Sequence, residues 1–149
     1  ADLVLDVPPP AGLELREVVD GHGVAALVSV HDEVFGGDHS AMGRNLLAAV
    51  ARQAATAVVA FAGPAPISAG RIEFHDGTDF ASLWGGGTLP AWRGRGVFRS
   101  LVAHRAALAS ARGVRYLQVD ASPDSRPILR RLGFVELATT TPFTHPGGT

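Results

Sequence analysis

The residue types with the clearest chemical use lie together between Phe80 and Arg99, where the chain reads FASLWGGGTLPAWRGRGVFR. An apolar run typical of a strand is ended by three glycines and Thr88-Leu89-Pro90, and Arg93-Gly94-Arg95-Gly96 then leads into a helical pattern from Val97. The first amides of a helix have no internal partner and lie at the positive end of its dipole. Glycine lets the backbone approach a ligand closely, and arginine donates charge-assisted hydrogen bonds to phosphate. The segment therefore predicts an anion site.

This loop matches neither of two common nucleotide motifs. The dinucleotide fingerprint G-x-G-x-x-G is absent, and no G-K-[ST] follows as in a Walker loop, because all 13 basic residues are arginine. For so short a segment, a solvated turn with two surface arginines is the alternative to an anion site.

The same residues resemble motif A of the GNAT superfamily of N-acetyltransferases, V-x-P-x-x-[QR]-x-x-G-x-[GA]. Thr88-Leu89-Pro90 and the stretch from Arg93 to Phe98 carry that likeness. Downstream, SPDSRPILRRLGF from Ser122 to Phe134 resembles motif B, N-x-x-A-x-x-L-Y-x-x-x-G-F, at the spacing that the family has. The likeness is close from Leu83 to Phe134 and looser over most of the chain.

The resemblance implies acetyl-CoA as co-substrate, with its diphosphate on the free helix amides and its pantetheine arm along the strand edge. Phe98 stands where the family has glycine or alanine, so its ring either lies against the helix flank or is an ordinary core side chain. The residues that the resemblance assigns to coenzyme A binding are Gly87, Thr88, Leu89, Arg93, Gly94, Arg95, Gly96, Val97, Phe98, Arg99, Ser122 and Ser125.

The usual proton-handling groups of the family are missing. The carboxylate expected on the fourth strand falls at Ser82, and the tyrosine of motif B falls at Leu129. We therefore name Asp120, at the end of the fifth strand, and Tyr116, the only tyrosine, as the catalytic candidates. The alternative for Asp120 is a turn or cap carboxylate, and the alternative for Tyr116 is a core side chain. Weaker candidates are His31, Glu33, Glu73, His75 and His104.

The predicted function is acetyl transfer from acetyl-CoA to the primary amine of a small molecule or peptide that the sequence does not identify. The alternative is a non-catalytic acyl-CoA-binding or regulatory module within a longer protein. No histidine and carboxylate set has the spacing of a metal site, so no metal is expected. Homodimerisation and a covalent link to an upstream domain both stay open.

The composition of the chain limits which classes of binding partner and which cellular compartment are expected. The net charge of −1 gives no support for general attraction to nucleic acid or an anionic membrane, and no apolar run is long enough to span a bilayer. The chain has no cysteine, which excludes a disulfide framework and a thiolate site and agrees with a cytoplasmic protein. The absence of an initiator methionine, together with Pro8-Pro9-Pro10, predicts that residues 1–12 are a linker or the end of an upstream segment and that residues 13–149 form the GNAT domain.

The apolar patterns predict an α+β fold, layered as α/β, with the order βααβββαβαββ and helices on both faces of the sheet. By resemblance this is the mainly antiparallel, mixed GNAT sheet of six to seven strands. Three glycines at the end of the fourth strand favour a bulge there, with a plain loop as the alternative. The predicted strands are 13–19, 56–61, 66–74, 80–89, 116–120, 134–138 and 139–143, and the predicted helices are 24–35, 45–55, 97–112 and a short one between 124 and 133.

Overall fold

A computed structural model describes residues 2–145 and contains five strands and four α-helices there. The strands are β1 (Leu13–Glu17), β2 (Ala55–Ala62), β3 (Ala65–Phe74), β4 (Phe80–Thr88) and β5 (Tyr116–Val119). The helices are α1 (Gly21–Phe35), α2 (Ser40–Ala51), α3 (Val97–Ala111) and α4 (Arg126–Arg131), and a 3₁₀ turn (Pro90–Trp92) precedes α3. None of these helices has the length and hydropathy that crossing a bilayer requires.

The sheet is mixed and mainly antiparallel, with the strands in sequence order from β1 to β5. Neighbouring strands from β1 to β4 pair antiparallel, whereas β4 and β5 are parallel. The parallel ladder joins only Phe80–Leu83 to Tyr116–Val119, so the remainder of β4 has no partner in β5. Because β4 continues and β5 stops, a gap opens between them.

Two layers of helices cover the sheet, as the patterns predict. Leu27, Val30 and Leu46 of α1 and α2 pack on one face against Ala57 and Val59 of β2. On the other face, α3 and α4 pack against β3 and β4 through Val102, Ala109, Leu129, Leu132, Ile72 and Leu83. The part of β4 that follows Leu83 lies between these two packed layers of helices, and it borders the gap between β4 and β5.

Helix α2 begins earlier than the sequence predicts. The sequence predicts this helix from residue 45, but residues 40–43 form its first turn, and Gly43 is buried there. An alanine at this position would place its Cβ 2.7 Å from Val28 of α1. Glycine is therefore required by the close approach of the two helices and does not end either of them.

A bulge interrupts the β3–β4 ladder, as the three glycines predict. Ala69 pairs with Gly87 and Arg71 pairs with Trp84, so Gly70 alone faces both Gly85 and Gly86. Gly85 has a φ of 58°, which side chains resist. The extra residue bends β4 at the position where it has parted from β5.

The prediction of six to seven strands is wrong for the part of the chain described, because residues 134–138 and 139–143 form no strand. Leu137 and Phe143 are each 94% exposed, so the alternation of apolar residues in this segment has no core to face. A hairpin without a buried face is marginal in water. Phe134 alone of this segment packs against the α3–α4 core, and Glu136 pairs with Arg126.

Residues 2–12, assigned from the sequence to a linker or upstream segment, form neither helix nor strand but contact the domain. Val4 N donates to Leu132 O at 2.9 Å, and Val7 packs against the core between α3 and the sheet. The boundary at residue 12 stays a prediction, although these contacts place the segment beside α4.

Candidate active site

A cleft of about 280 Å³ occupies the gap between β4 and β5. One wall is the bulged end of β4, and the other is the stretch that follows β5. The floor comes from α3 and α4. The residues that line the cleft are Phe35, Leu83, Trp84, Gly85, Gly86, Phe98, Val102, Arg105, Val119, Asp120, Ser122, Ser125 and Leu129.

The start of α3 lies at this cleft and leaves its first amides free. Gly94 and Gly96 have φ angles of 73° and 85°, which glycine adopts readily, and Gly96 is the N-cap residue. No side chain of the described residues caps the helix, and the first helical hydrogen bond runs from Ser100 N to Gly96 O. The amides of residues 97–99 therefore have no partner among the described residues, which is the backbone arrangement that the predicted anion site requires.

Arg93 and Arg95 of the loop and Arg99 of α3 differ in how far their side chains are already bonded. Arg93 Nε donates to Thr88 O at 2.9 Å, which ties the loop to the end of β4. Arg95 lies over the Trp92 ring at 5.0 Å, and Arg99 is exposed on α3. Arg95 and Arg99 thus keep donors for a phosphate, whereas Arg93 shapes the loop.

Of the other residues assigned to coenzyme A, Phe98, Ser122 and Ser125 line the cleft, and Gly87 and Thr88 follow the cleft-lining Gly86 along β4. Leu89 and Val97 pack instead in the core around Ala60 and Ile67. Ser68 Oγ donates to Gly87 O at 2.8 Å and contacts Thr88 Oγ1 at the same distance, which fixes this end of β4. Ser122 and Ser125 line the cleft and bond each other reciprocally through their amides and hydroxyls. Both positions expected for the Phe98 ring apply, because the ring lines the cleft and also packs against the α3–α4 core.

The two catalytic candidates, Tyr116 and Asp120, lie at opposite ends of β5. Asp120 follows the strand directly and lines the cleft. Tyr116 begins the strand, is 49% exposed and stacks on Phe80 with ring centroids 5.1 Å apart. The structure therefore brings Asp120, and not Tyr116, to the cleft. Leu129, at the motif B tyrosine position, is buried.

Ser82, at the position of the family's carboxylate, is held in a polar chain that sequence reasoning missed. The Trp84 indole N–H donates to Ser82 Oγ at 2.8 Å, and Ser82 Oγ lies 2.8 Å from His75 Nε2. Because indole nitrogen only donates, the serine accepts from Trp84 and can give its own proton to His75. The pairing of Glu73 with Ser82 in the ladder brings the end of β3 to this place. The sequence showed only that a histidine followed β3.

A second cavity, the β3 groove, has a volume of about 610 Å³ and lies between α2 and the ends of β2 and β3. Its polar lining comes from Asn45, Arg52, Arg71, Glu73 and His75. Arg71 lines the groove and its ladder partner Trp84 lines the cleft, so the two cavities lie on either side of this cross-strand pair. The His75–Ser82–Trp84 chain connects one cavity with the other.

Arg105 of α3 is buried beneath the bulge, and no carboxylate of residues 2–145 forms an ion pair with it. Its Nε donates to Leu101 O, and its Nη1 donates to the carbonyl oxygens of Arg71 and Trp84 at 2.9 and 3.3 Å. Burial, assisted by the charge of Arg71, lowers the pKa of Arg105 to about 9, so the side chain is still charged at neutral pH. The guanidinium holds β3 and β4 together where their ladder is interrupted.

His31 of α1 lies on the opposite side of the bulge. Its Nδ1 donates to Leu27 O at 3.1 Å, so its Nε2 carries the lone pair, and that atom is buried without a hydrogen bond to the described residues. An alanine at position 85 would place its Cβ 2.4 Å from Nε2. Burial lowers the pKa of His31, and the hydrogen bond to Leu27 opposes part of that effect.

We expect His31 to make the stability of the protein depend on pH. Its pKa lies below the ordinary 6.5 in the folded chain, so the unfolded chain binds more protons just below that pH. Stability is therefore complete above about pH 6.5 and falls as the pH decreases toward the folded-state pKa. Melting temperatures measured between about pH 5 and 7.5 should show a shallower decrease for His31→Gln than for the parent. His22→Gln, an exposed change on the same helix, is the control, and an unaltered slope in His31→Gln would contradict the prediction.

Comparison with known proteins assigns the family. The sequence model of the acetyltransferase (GNAT) family matches residues 25–134, which is most of the chain. This chain therefore belongs to the acetyltransferase (GNAT) family, as its two motifs predict. No curated protein sequence matches it.

Several solved structures share the fold. AAC(6')-Iy in complex with the bisubstrate analog CoA-S-monomethyl-acetylneamine is 21% identical, with a TM-score of 0.74 over 91% of this chain and 99% of that one. The aminoglycoside 6'-N-acetyltransferase AAC(6')-IG from Acinetobacter haemolyticus is 18% identical, with a TM-score of 0.70 over 91% and 99%. An aminoglycoside acetyltransferase from an uncultured soil metagenomic sample, solved with sisomicin, is 12% identical, with a TM-score of 0.75 over 92% and 97%.

Proposed function

We propose that this chain transfers the acetyl group of acetyl-CoA to a primary amine by direct attack. The observation that carries the proposal is the open cleft between β4 and β5, with the uncapped amides of α3 beside it. In this proposal, the diphosphate lies on the amides of residues 97–99 and the pantetheine follows the unpaired part of β4. The thioester then lies at the bulge, and the amine reaches it from the β3 groove.

The protons need two groups. The amine nitrogen forms a bond to the acetyl carbon and must lose a proton, while the C–S bond breaks and the thiolate gains one. The position of Ser82 near the bulge, and its contact with His75 Nε2, make His75 the acceptor of the amine's proton, through Ser82 or a water. Asp120, on the opposite wall of the cleft, remains our candidate for protons exchanged through water near the thiolate.

Acetyl-CoA should raise the melting temperature. Ligand at about 100 times its Kd stabilises the folded state by about 2.7 kcal/mol, which for a chain of this size corresponds to about 5–10 °C. Thermal denaturation with acetyl-CoA, and with ATP as a control for general phosphate binding, measures the effect. Arg95→Gln and Arg99→Gln should each reduce it, whereas Arg115→Gln, far from the loop, should not. Failure of saturating acetyl-CoA to stabilise the protein would contradict the proposal.

A non-catalytic acyl-CoA-binding module is the second candidate. Ser82 and the buried Leu129 at the family's usual proton-handling positions favour it. Release of free thiol from acetyl-CoA, measured across a broad panel of primary amines, separates the two functions. Stabilisation by acetyl-CoA without thiol release from any amine would favour the module.

A further inference from the structure

Arg71 lines the β3 groove beside Trp84 of the cleft, and the hydrogen-bonding capacity of its side chain is mostly unused. The side chain of Arg71 is only 21% exposed, and its one side-chain contact with a described acceptor joins Nε to Glu73 Oε1 at 3.4 Å. That distance exceeds the usual 2.7–3.2 Å of an N–H···O bond. Its terminal nitrogens Nη1 and Nη2 donate to no described residue, and Nη1 lies 3.1 Å from where a side chain at Gly85 would begin. A planar fork of this kind suits a carboxylate or a phosphate.

A second guanidinium strengthens the positive charge at the bulge. Arg105 lines the cleft, and its Nη2 lies 3.3 Å from the Cβ that an alanine at position 86 would have. The hydrogen bonds of Arg105 use Nε and Nη1, so Nη2 donates to no described residue. Arg52 adds a third cation to the wall of the β3 groove. Arg71 is largely buried and Arg105 fully buried, so water screens their charges less than that of the exposed Arg52.

Few carboxylates oppose these arginines. Glu73 contacts Arg71 weakly, and Asp120 lies on the opposite wall of the cleft. Asp32 of α1 is engaged by the ring and the amide of His39, both at 2.8 Å. A polycationic amine would therefore meet net repulsion at the bulge, whereas an amine with a negative group would be attracted.

We propose that the acceptor is a primary amine that also carries an anionic group, a carboxylate or a phosphate, and that Arg71 binds this group. The inference rests on the proposed acetyl transfer. Arg71 and Ser82 lie on the same face of neighbouring strands, offset by one two-residue step of the ladder, which corresponds to about 7 Å. An anionic group held by Arg71 thus places an amine a few bonds away beside the His75–Ser82 pair. Glu73 and Asp120 are then available to the protonated amine before it reacts.

Matched acceptors test the proposal. The panel pairs amino acids with their carboxamides and O-phosphoethanolamine with ethanolamine, so that each pair differs in the anionic group, and it includes the polycation spermidine. Thiol release gives kcat/KM, and calorimetry with coenzyme A present gives the affinity for each amine. We expect the anionic member to be favoured by about 10- to 100-fold, as for a charge-assisted bidentate contact. The carboxylate and phosphate arms show which anion the site prefers.

Variants of the arginine identify its role. Arg71→Gln should lower kcat/KM for the anionic members by about 10-fold or more and bring the ratio within each pair toward one. Arg71→Lys should retain part of the preference, because it keeps the charge and loses the fork. Arg115→Gln, an exposed arginine near Asp79, should leave the ratio unchanged. Melting temperatures show whether each variant is folded.

Preference for the uncharged amines or for spermidine would overturn the inference while leaving the acetyl transfer intact. An equal loss for both members of each pair in folded Arg71→Gln would also overturn it, because it would mean a structural role. If no amine released thiol, the proposed transfer would fail, and the calorimetric preference for anionic amines would still decide the inference.

Discussion

Replacing His75 with alanine is expected to lower kcat by about 100-fold or more, which is the usual contribution of a general base. His75 Nε2 is the only basic atom bonded to Ser82 among the described residues, at 2.8 Å. The family's carboxylate position thus has a histidine within one hydrogen bond, supplied by the end of β3. The KM for acetyl-CoA should change little, because His75 lines the β3 groove and not the cleft. Steady-state thiol release as a function of pH measures the effect.

A rescue experiment separates proton transfer from packing. In His75→Ala the space beside Ser82 is larger, so the double variant His75→Ala with Ser82→Glu restores a carboxylate where the family has one. Recovery of a substantial part of kcat, with a changed pH profile, would identify proton transfer as the function of this pair. His22→Ala, an exposed histidine of α1, is the control. A kcat within threefold of the parent in folded His75→Ala would show that the proton leaves by another route.

Gly70→Ala should destabilise the fold by about 3 kcal/mol, through overpacking and the disruption of a buried hydrogen-bond network. The new Cβ would lie 2.6 Å from Arg105 Nη1 and 2.7 Å from its Cζ, closer than van der Waals contact allows. The guanidinium cannot simply swing away, since it donates to three backbone carbonyls beneath the bulge. Urea denaturation measures the change in the free energy of unfolding, and a loss of about 6–12 °C in melting temperature should accompany it.

A control variant and a double variant test whether the loss of stability in Gly70→Ala arises at the bulge. Gly21→Ala meets no atom within 4 Å and lies at the first position of α1, so it should be neutral or slightly stabilising. Arg105→Leu combined with Gly70→Ala removes the clash, so the two effects should not add. Additive effects, or an unchanged stability in Gly70→Ala, would show that the site relaxes without loss and that Arg105 does not fix the bulge.

The backbone arrangement of the predicted anion site could be predicted from the sequence because all its parts are local. A strand, a loop rich in glycine and arginine, and a helix follow one another within 20 residues. Anion binding here would depend mainly on backbone amides, which do not depend on the identity of the side chains. The same holds for the bulge, where three consecutive glycines are sufficient to indicate irregular backbone. Family motifs A and B are likewise contiguous segments, and the family match over residues 25–134 confirms the family that they resemble.

Other expectations failed where distant segments decide the outcome. Gly43 lies outside the predicted helix of residues 45–55, but it belongs to α2, where the close approach of Val28 of α1 requires a glycine. Residues 134–143 have a strand pattern, yet the described structure offers them no neighbouring strand, and only Phe134 packs against the core. Tyr116 lies at the end of β5 away from the cleft, which strand alternation alone could not reveal.

The sequence by itself determined the order of the first nine elements, the loop that precedes α3 and the membership of the family, because local periodicity and contiguous motifs encode each of them. The tertiary structure alone decided which side chains surround the bulge. The register of β3 on β4 places His75 beside Ser82, and the packing of α3 beneath Gly70 and Gly86 places Arg105 there. The reason is physical: a strand pattern specifies which residues share a face, but only the pairing of strands and the docking of helices specify which residues from different segments touch.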